Sequence, residues 1–383
     1  MLIRFWLSNF LVQFARGVSR RRRSRPQRLR VRRGHQLARG GEPLEDRTLL
    51  AASLIFSADV NTPRNLTLAL SGTDVQIVDS SDSSNVLASE SLVNLTSGVQ
   101  ISGSGYDINL TIDSSLPIIP GGIQFNGGSG NNVLSGPVSN TTWFLTGANS
   151  GNLASGVLAV QFTDVENLTG GAGATDDFIV TPTGTLSGRI QGYENDTDSV
   201  TVQLQANSVA QTMAAVAGTS TTSGTVTRNS VAAVSYVGVK APVELSVIAT
   251  GQADSIELQR GAAARTLDIR STNPVATFGT VNVTLRAGVI AGLDMGAGSD
   301  SVTIGASALD AALEGGEITV DGGSGTNSIT SHHSCRARDG GHPGLSPGRS
   351  RRHVPPGGDH LPRQPHPPGT GRIRSTHSPA DWR

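Results

Sequence analysis

The chain has 383 residues, and its 47 glycines and 4% aromatic residues are typical of many short strands and tight corners rather than a thick aromatic core. Its net charge of zero conceals three parts: residues 1–50 carry 13 arginines against 3 acids, residues 51–331 carry 8 basic against 24 acidic residues, and residues 332–383 carry 9 arginines against 3 acids. The central part lacks histidine and cysteine, which excludes Ser/His or Cys/His nucleophiles and imidazole or thiolate metal sites there.

Residues 1–50 are predicted to be a disordered, basic targeting or anchoring segment. Apolar residues recur at roughly helical spacing in residues 1–18, and an arginine run follows at 20–33. An ordinary secretory signal has its charges first, so a standard signal peptide is not expected. A solvated tail or a nucleic-acid arm is the alternative, but no aromatic residues interleave the arginines for base stacking, and we expect no nucleic-acid partner. No apolar stretch is long enough for a transmembrane helix.

A short motif follows the basic run. Residues 44–50 (LEDRTLL) resemble the LEPR-xLL type N-terminal motif of large planctomycete surface and secreted proteins, with Asp46 where that motif often has Pro. The resemblance implies an extracellular or envelope-associated protein whose motif precedes a long β-repeat region.

Residues 51–331 predict one strand after another. Polar and apolar residues alternate with period two, are rich in Val, Ile and Thr, and are bounded by Gly or Asn. The clearest segments are 65–70 (NLTLAL), 107–112 (DINLTI), 157–162 (VLAVQF), 199–205 (SVTVQLQ), 243–248 (VELSVI), 266–269 (TLDI), 280–285 (TVNVTL) and 317–320 (EITV). Only residues 207–217 (NSVAQTMAAVA) fit a helical pattern, which predicts a short helical excursion. The fold class is therefore all-β.

Two nearly identical nonapeptides lie far apart in this β-rich body, at residues 127–135 (GGSGNNVLS) and 322–330 (GGSGTNSIT). They resemble the GGxGxDxUx hemolysin-type repeat of calcium-binding parallel β-rolls, and residues 162–188 are similar to stretches of adhesin-like surface proteins with such repeats. The resemblance implies an elongated right-handed parallel β-solenoid. Stacked β-sandwich modules are the alternative.

Calcium is the cofactor that this resemblance implies. The acidic position of the repeat is occupied by Asn132 and Asn327 in the two best copies and by Asp300 in a third, while Asp176 and Asp177 follow another glycine cluster. Weaker copies carry Asp107, Asp198 and Asp254. Calcium needs six to eight oxygens, which a β-roll supplies from tandem repeats. Because these copies are isolated, the alternative is that Gly and Asn are present for the corners alone.

Enzyme activity is not expected. Asp176 and Asp177 together suggest the carboxylate pair of a glycoside hydrolase, but adjacent strand residues point to opposite faces. A β-helix carbohydrate-active enzyme remains an alternative. Seven Asn-x-Ser/Thr sequences, beginning with those at Asn65, Asn94 and Asn109, are expected by chance in a chain so rich in Asn and Thr.

Residues 332–383 change character abruptly. They hold 9 of the 18 prolines and the single Cys335, so disulfides do not stabilise the protein. The segment lacks apolar residues to offset the entropy of ordering and is predicted to be disordered. Arg, His, Pro and Gly are what GC-rich DNA encodes in a shifted reading frame, so we suspect a frame shift that truncates a larger surface protein; a genuine basic tail is the alternative.

The sequence therefore predicts a non-enzymatic structural or adhesin-like protein of the cell surface or extracellular space. Its expected partners are envelope polysaccharide or matrix and further copies of itself.

Overall fold

The computed structural model describes residues 52–58, 62–156, 158–308 and 316–331. They belong to the compact unit Leu49–Arg383; the other unit, Met1–Thr48, lies outside the described residues. So do the predicted basic segment 1–50 and tail 332–383. The described part is nearly all β, with 26 strands in two large mixed sheets.

The first sheet contains 11 strands. In chain order they are β1 (Ala52–Ser57), β5 (Leu95–Ser104), β7 (Ile123–Gly128), β9 (Thr141–Gly147), β10 (Ser150–Ser155), β11 (Leu158–Thr163), β13 (Asp176–Val180), β15 (Ser199–Gln205), β19 (Val243–Ile248), β23 (Val289–Asp294) and β25 (Gly316–Asp321).

The second sheet contains 15 strands. They are β2 (Arg64–Ser71), β3 (Asp74–Asp79), β4 (Asp82–Ser91), β6 (Ile108–Ile112), β8 (Val133–Ser135), β12 (Asn167–Thr169), β14 (Arg189–Gln191), β16 (Gln211–Ala217), β17 (Gly224–Arg228), β18 (Val231–Val237), β20 (Ser255–Arg260), β21 (Thr266–Ser271), β22 (Val281–Thr284), β24 (Ser301–Ile304) and β26 (Ser328–Ser331).

The chain passes repeatedly from one sheet to the other. From β5 it crosses to β6, returns to β7 and crosses again to β8. Along this stretch, a strand that returns to a sheet pairs in parallel with the preceding strand of that sheet, as β7 does with β5 and β8 with β6. All eight predicted strand segments lie in these sheets, and the prediction of an all-β fold is confirmed.

Antiparallel three-stranded meanders replace a single strand at four places: β2–β4, β9–β11, β16–β18 and β20–β22. In the three internal meanders, the first strand pairs with a strand that follows the meander in the chain. The last strand of the meander pairs with a strand that precedes it in the chain. Thus β9 pairs with β13 and β11 with β7. Each internal meander lengthens its sheet without breaking the parallel order on either side, and β2–β4 forms one end of the second sheet.

The predicted helical excursion at residues 207–217 is wrong. Residues Gln211–Ala217 form strand β16, paired antiparallel with β17 and parallel with β22. Gln211, Met213 and Ala215 alternate inward along this strand. Pairing on both sides and burial of one face outweigh the high helix propensity of Ala and Gln.

The core lies where inward side chains of the strands meet. One continuous cluster of buried apolar side chains extends from Leu54 to Val320. Its largest member, Trp143, stacks on Phe178 with ring centroids 5.4 Å apart and an interplanar angle of 19°. These rings lie on the paired strands β9 and β13, so they anchor the inner side of the meander β9–β11.

Candidate functional site

Polar side chains are buried at the positions where several strands begin. Five Asn or Asp (Asx) residues at these positions are at most 2% exposed: Asn132, Asp176, Asp198, Asp254 and Asp300. A sixth, Asn327, is partly buried and lies in register with Asp300. Strand pairing places Asp176 opposite Asp198 and brings Asp254, Asp300 and Asn327 into one row, because Asp177 pairs with Ser199, Ser255 with Ser301 and Ser301 with Ser328. Asn132 lies opposite Ile108. We call these rows the Asx ladders.

Asn132 shows how a ladder works. Its Oδ1 accepts the backbone N–H of Ile108 on the neighbouring strand at 3.0 Å. Its Nδ2 donates to the carbonyls of Gly130 and Asp164, both at 3.0 Å, and its own N–H donates to Oε2 of Glu166 at 2.8 Å. A side chain with no exposed surface thus satisfies backbone groups at a corner where the sheet hydrogen bonds have not yet begun.

Asp176 and Asp198 form a second ladder, in the first sheet. Oδ1 of Asp176 accepts the Thr141 hydroxyl, and its Oδ2 accepts the N–H of Gly171 at 2.6 Å. The N–H of Asp176 donates to Oδ1 of Asp198 at 2.9 Å, and Oδ2 of Asp198 accepts the N–H of Tyr193 at 2.9 Å. All four carboxylate oxygens therefore have protein donors.

Burial perturbs both carboxyls of this second ladder. It raises the pKa of Asp176 to about 6, although the hydrogen bonds from Thr141 and Gly171 act in the opposite direction and the charge of Asp198 adds to the rise. Burial also raises the pKa of Asp198. Asp177, one residue along, is exposed and accepts the Ser199 hydroxyl at 2.6 Å. The two adjacent aspartates thus lie on opposite faces of β13, so they do not form a catalytic pair by themselves.

The third ladder joins Asp254, Asp300 and Asn327 in the second sheet. The N–H of Asp254 donates to Oδ1 of Asp300 at 2.8 Å, and the N–H of Asp300 donates to Oδ1 of Asn327 at 2.9 Å. Asp254 itself accepts from the backbone and hydroxyl of Thr250 and from the Thr277 hydroxyl. Oδ2 of Asp300 is buried and has no hydrogen-bond partner among the described residues.

The glycines of the repeat make room for these side chains. A Cβ on Gly127 would lie 2.6 Å from Nδ2 of Asn132, and one on Gly170 would lie 2.4 Å from Oδ2 of Asp176. In these two turns the Asx side chain folds back onto the preceding glycine, so that glycine must lack a side chain. This contact gives a physical reason for the GGSGxN pattern that does not involve an ion.

The ladders leave few oxygens for calcium. The side-chain oxygens of Asn132, Asn327 and Asp176 accept protein hydrogen bonds, and Asp177 faces away from Asp176. Only Oδ2 of Asp300 remains buried and unpaired among the five candidates, far short of the six to eight oxygens of a calcium site. Within the described residues, no three His, Cys, Asp or Glu side chains are placed to share a metal ion. Four of the five candidates, Asn132, Asn327, Asp176 and Asp300, lie near the starts of strands and accept backbone N–H groups.

Some contributors were not apparent from the sequence. Thr141 and Glu166 complete ladders from 35 and 34 residues away. Arg228 is a buried cation whose guanidinium donates to the carbonyls of Thr181 at 2.6 Å, Gln203 at 2.8 Å and Gly184. Desolvation lowers the pKa of Arg228. In the sequence, the one indication of this role is that Arg228 ends a strand otherwise composed of Gly, Thr and Val.

Comparison with known proteins found no match among family models, curated proteins or solved structures. The described residues contain no helix with the length and apolar character needed to span a membrane.

Proposed function

We propose that residues 51–331 form an elongated right-handed parallel β-solenoid, and that the protein is a non-enzymatic structural or adhesin-like component of the cell surface or extracellular space. The main support is the alternation of the chain between two sheets that both continue from the first described strands to the last. Separate β-sandwich modules would each enclose a core of their own, whereas one apolar cluster runs through all the strands here. A solenoid provides long regular faces, which suit repeated contacts with an extended partner.

The buried acids favour a scaffold over an enzyme. Asp176 and Asp198 have all their oxygens occupied by backbone or hydroxyl donors, so they are not presented to a substrate. Asp177 is an exposed carboxylate on the other side of the strand. A β-helix carbohydrate-active enzyme would have to use other residues.

Location outside the cell rests on the LEPR-xLL resemblance at residues 44–50 together with the acidic β-repeat body. We propose envelope polysaccharide or matrix as the partner, with self-association through the sheets as a further mode. Calcium binding at Asp300 stays a secondary proposal, supported by its unpaired Oδ2.

Surface exposure is tested in the organism of origin. Intact cells are treated briefly with protease, and the protein is then detected with an antibody against the body, alongside a cytoplasmic marker and an assay of the culture medium. We expect the cell-associated signal to fall while the marker stays intact, or the protein to be found in the medium. Retention inside the cell with the same protection as the marker would contradict the proposal.

The truncated-fragment alternative has an independent test. The change of composition at residue 332 falls directly after a repeat copy. Resequencing the DNA around the codon for Ser331 decides it: a corrected frame that restores Val/Thr alternation supports a longer parent protein, and an unchanged frame supports a genuine basic tail.

A further inference from the structure

The outer face of the second sheet carries two regular columns of polar side chains. Strands β2, β6, β8, β12 and β14 lie side by side in parallel register, with their central Leu or Ile buried. The flanking side chains face outward and form the columns Asn65, Asn109, Val133, Asn167, Arg189 and Thr67, Thr111, Ser135, Thr169, Gln191. We call this surface the amide–hydroxyl face. Three of its strands read Asn-Leu-Thr, so these three Asn-x-Thr sequences have a shared structural position.

The amides of this face are held in place yet retain hydrogen-bonding capacity. Nδ2 of Asn109 donates to Oδ1 of Asn65 at 2.7 Å, and Nδ2 of Asn167 donates to Oδ1 of Asn131 at 2.8 Å. Nδ2 of Asn167 also donates to the carbonyl of Asn132 at 3.3 Å, so both of its hydrogens are engaged. The second hydrogen of Asn109 Nδ2 and the second lone pairs of the Oδ1 atoms of Asn65 and Asn131 are left for a ligand. The hydroxyls of Thr111 and Thr169 have no hydrogen-bond partner among the described residues. Pre-positioned groups of this kind lower the entropic cost of binding.

A groove lies at the end of the amide–hydroxyl face formed by β8, β12 and β14. It has a volume of about 450 Å³ and is lined by the polar side chains of Asn131, Asn167, Thr169, Arg189 and Gln191 together with Val133 and Gly188. Its lining offers both donors and acceptors. Sugar hydroxyl groups require both from a binding surface.

The charge of the face selects among ligand classes. Of its ten column positions only Arg189 is ionised and only Val133 is apolar. Nucleic acid and acidic polysaccharides need several basic residues, and a stable protein interface needs an apolar centre. A neutral polymer rich in hydroxyls is the complementary partner. Because the side chains repeat at the strand spacing, successive sugar units can make equivalent contacts on successive strands.

We propose that the amide–hydroxyl face binds an uncharged, linear polysaccharide that lies across strands β2 to β14. This rests on the proposed function, in which envelope polysaccharide is the partner, and adds the charge class of the polymer and the face that binds it. The outer face of the first sheet has a smaller polar groove, about 270 Å³, that includes Gln124, Gln161 and Thr163, and it serves as an internal comparison.

The test uses the full chain in affinity gel electrophoresis, with a soluble mixed-linkage β-glucan or pullulan as neutral probes and polygalacturonate as the acidic probe. We expect retardation by at least one neutral probe and none by polygalacturonate. The double variant Thr111→Val/Thr169→Val removes two hydroxyls while keeping shape and strand preference, and should weaken binding about tenfold or more. Thr163→Val is the matched control on the other face and should bind like the wild type.

Three results would overturn the inference: no retardation by either neutral probe, equal binding by the wild type and the double variant, or stronger binding to polygalacturonate. If Thr163→Val weakens binding while the double variant does not, the polysaccharide partner survives and the assignment of the face fails. Circular dichroism confirms that each variant is folded, and Thr169→Val alone replaces the double variant if the latter is not. The proposed location at the cell surface is tested separately by protease treatment, and the binding results neither support nor contradict it.

Discussion

The backbone N–H of Asp254 donates to Oδ1 of Asp300, 2.8 Å away on the neighbouring strand, although 46 residues separate the two in the chain. The same relation joins Asp176 to Asp198 and Asp300 to Asn327. In each case the side-chain oxygen accepts a backbone N–H at or just before the first residue of the strand, where no backbone carbonyl of the described neighbouring strand accepts it. The ladders are thus part of what stabilises the corners of the fold.

Two substitutions of Asp300 test whether the protein needs its oxygen as a hydrogen-bond acceptor or its negative charge. Asp300→Asn keeps an oxygen for the Asp254 N–H and removes a buried charge, so the free energy of unfolding should stay within about 1 kcal/mol of wild type or increase. Asp300→Ala leaves that N–H without its acceptor and should cost about 1–3 kcal/mol. Urea unfolding near neutral pH measures both. Equal losses in the two variants would show that the carboxylate charge itself is needed, as for an ion.

The raised pKa of Asp176 predicts a pH dependence of stability. Its folded-state value of about 6 lies above the usual unfolded value of roughly 3.9, so the folded protein holds this proton more tightly. The corresponding stabilisation is fully present below about pH 4 and is lost as the pH rises to about 6 and beyond. Over this window stability should fall by about 2–3 kcal/mol from this group alone.

Asp176→Asn isolates that contribution. Its absolute stability should be lower, because the amide has one acceptor oxygen where the carboxylate uses two, but its difference from wild type should shrink as the pH rises from 4 to 6. Asp177→Asn, on the exposed neighbour, is the control and should follow the wild-type profile. Parallel pH profiles for wild type and Asp176→Asn would show that Asp176 does not titrate in this range.

Gly170 tests the space that the second ladder requires. The added Cβ of Gly170→Ala would lie 2.4 Å from Oδ2 of Asp176, which hydrogen bonds hold in place, so we expect a loss of about 1–3 kcal/mol. Gly251→Ala is the control, since nothing lies within 4 Å of its Cβ position, and it should change stability by no more than about 0.5 kcal/mol. Thermal unfolding compares them; similar melting temperatures for the two variants would remove the close-packing argument.

Arg228 should be needed for stability rather than binding. Arg228→Met keeps much of the side-chain volume but removes the guanidinium donor from the carbonyls of Thr181, Gln203 and Gly184, which should cost at least about 1–3 kcal/mol. The Thr181 carbonyl still accepts the N–H of Gly184. Arg189→Met on the exposed face should be nearly neutral for stability. Denaturant titration measures both, and a neutral Arg228→Met would mean that water replaces the guanidinium.

Local pattern was sufficient for the strands but not for their arrangement. The segments 199–205 and 243–248 coincide with β15 and β19, because the alternation of buried and exposed side chains in a strand can be recognised from adjacent residues. The strand pattern does not predict the meanders, although Asn229 and Ser230, both with positive φ, connect β17 and β18 in a two-residue turn. At residues 211–217 tertiary pairing outweighed the helical pattern.

The ladder positions were partly visible in the sequence. The neighbouring glycines mark four of them in the sequence, Asp176, Asp300, Asn132 and Asn327, and weaker copies of the repeat contain Asp198 and Asp254. Their partners could not be predicted, because Thr141 and Ile108 meet them only through strand register. Whether an acid in such a motif faces an ion or a backbone N–H depends on the next strand along the sheet.

The central claim is that distant segments stack as parallel strands in one continuous sheet, and paired spin labels measure this directly. With Cys335 replaced by serine, labels are placed at Thr67 and Gln191, four strands apart in register, and at Thr67 and Val237, five strands apart. At the spacing of neighbouring strands, backbone separations of about 19 and 24 Å are predicted, so the second pair should give the longer distance by about one strand spacing. Distances that do not increase with strand number, or that lie far beyond these values, would contradict the parallel stacking.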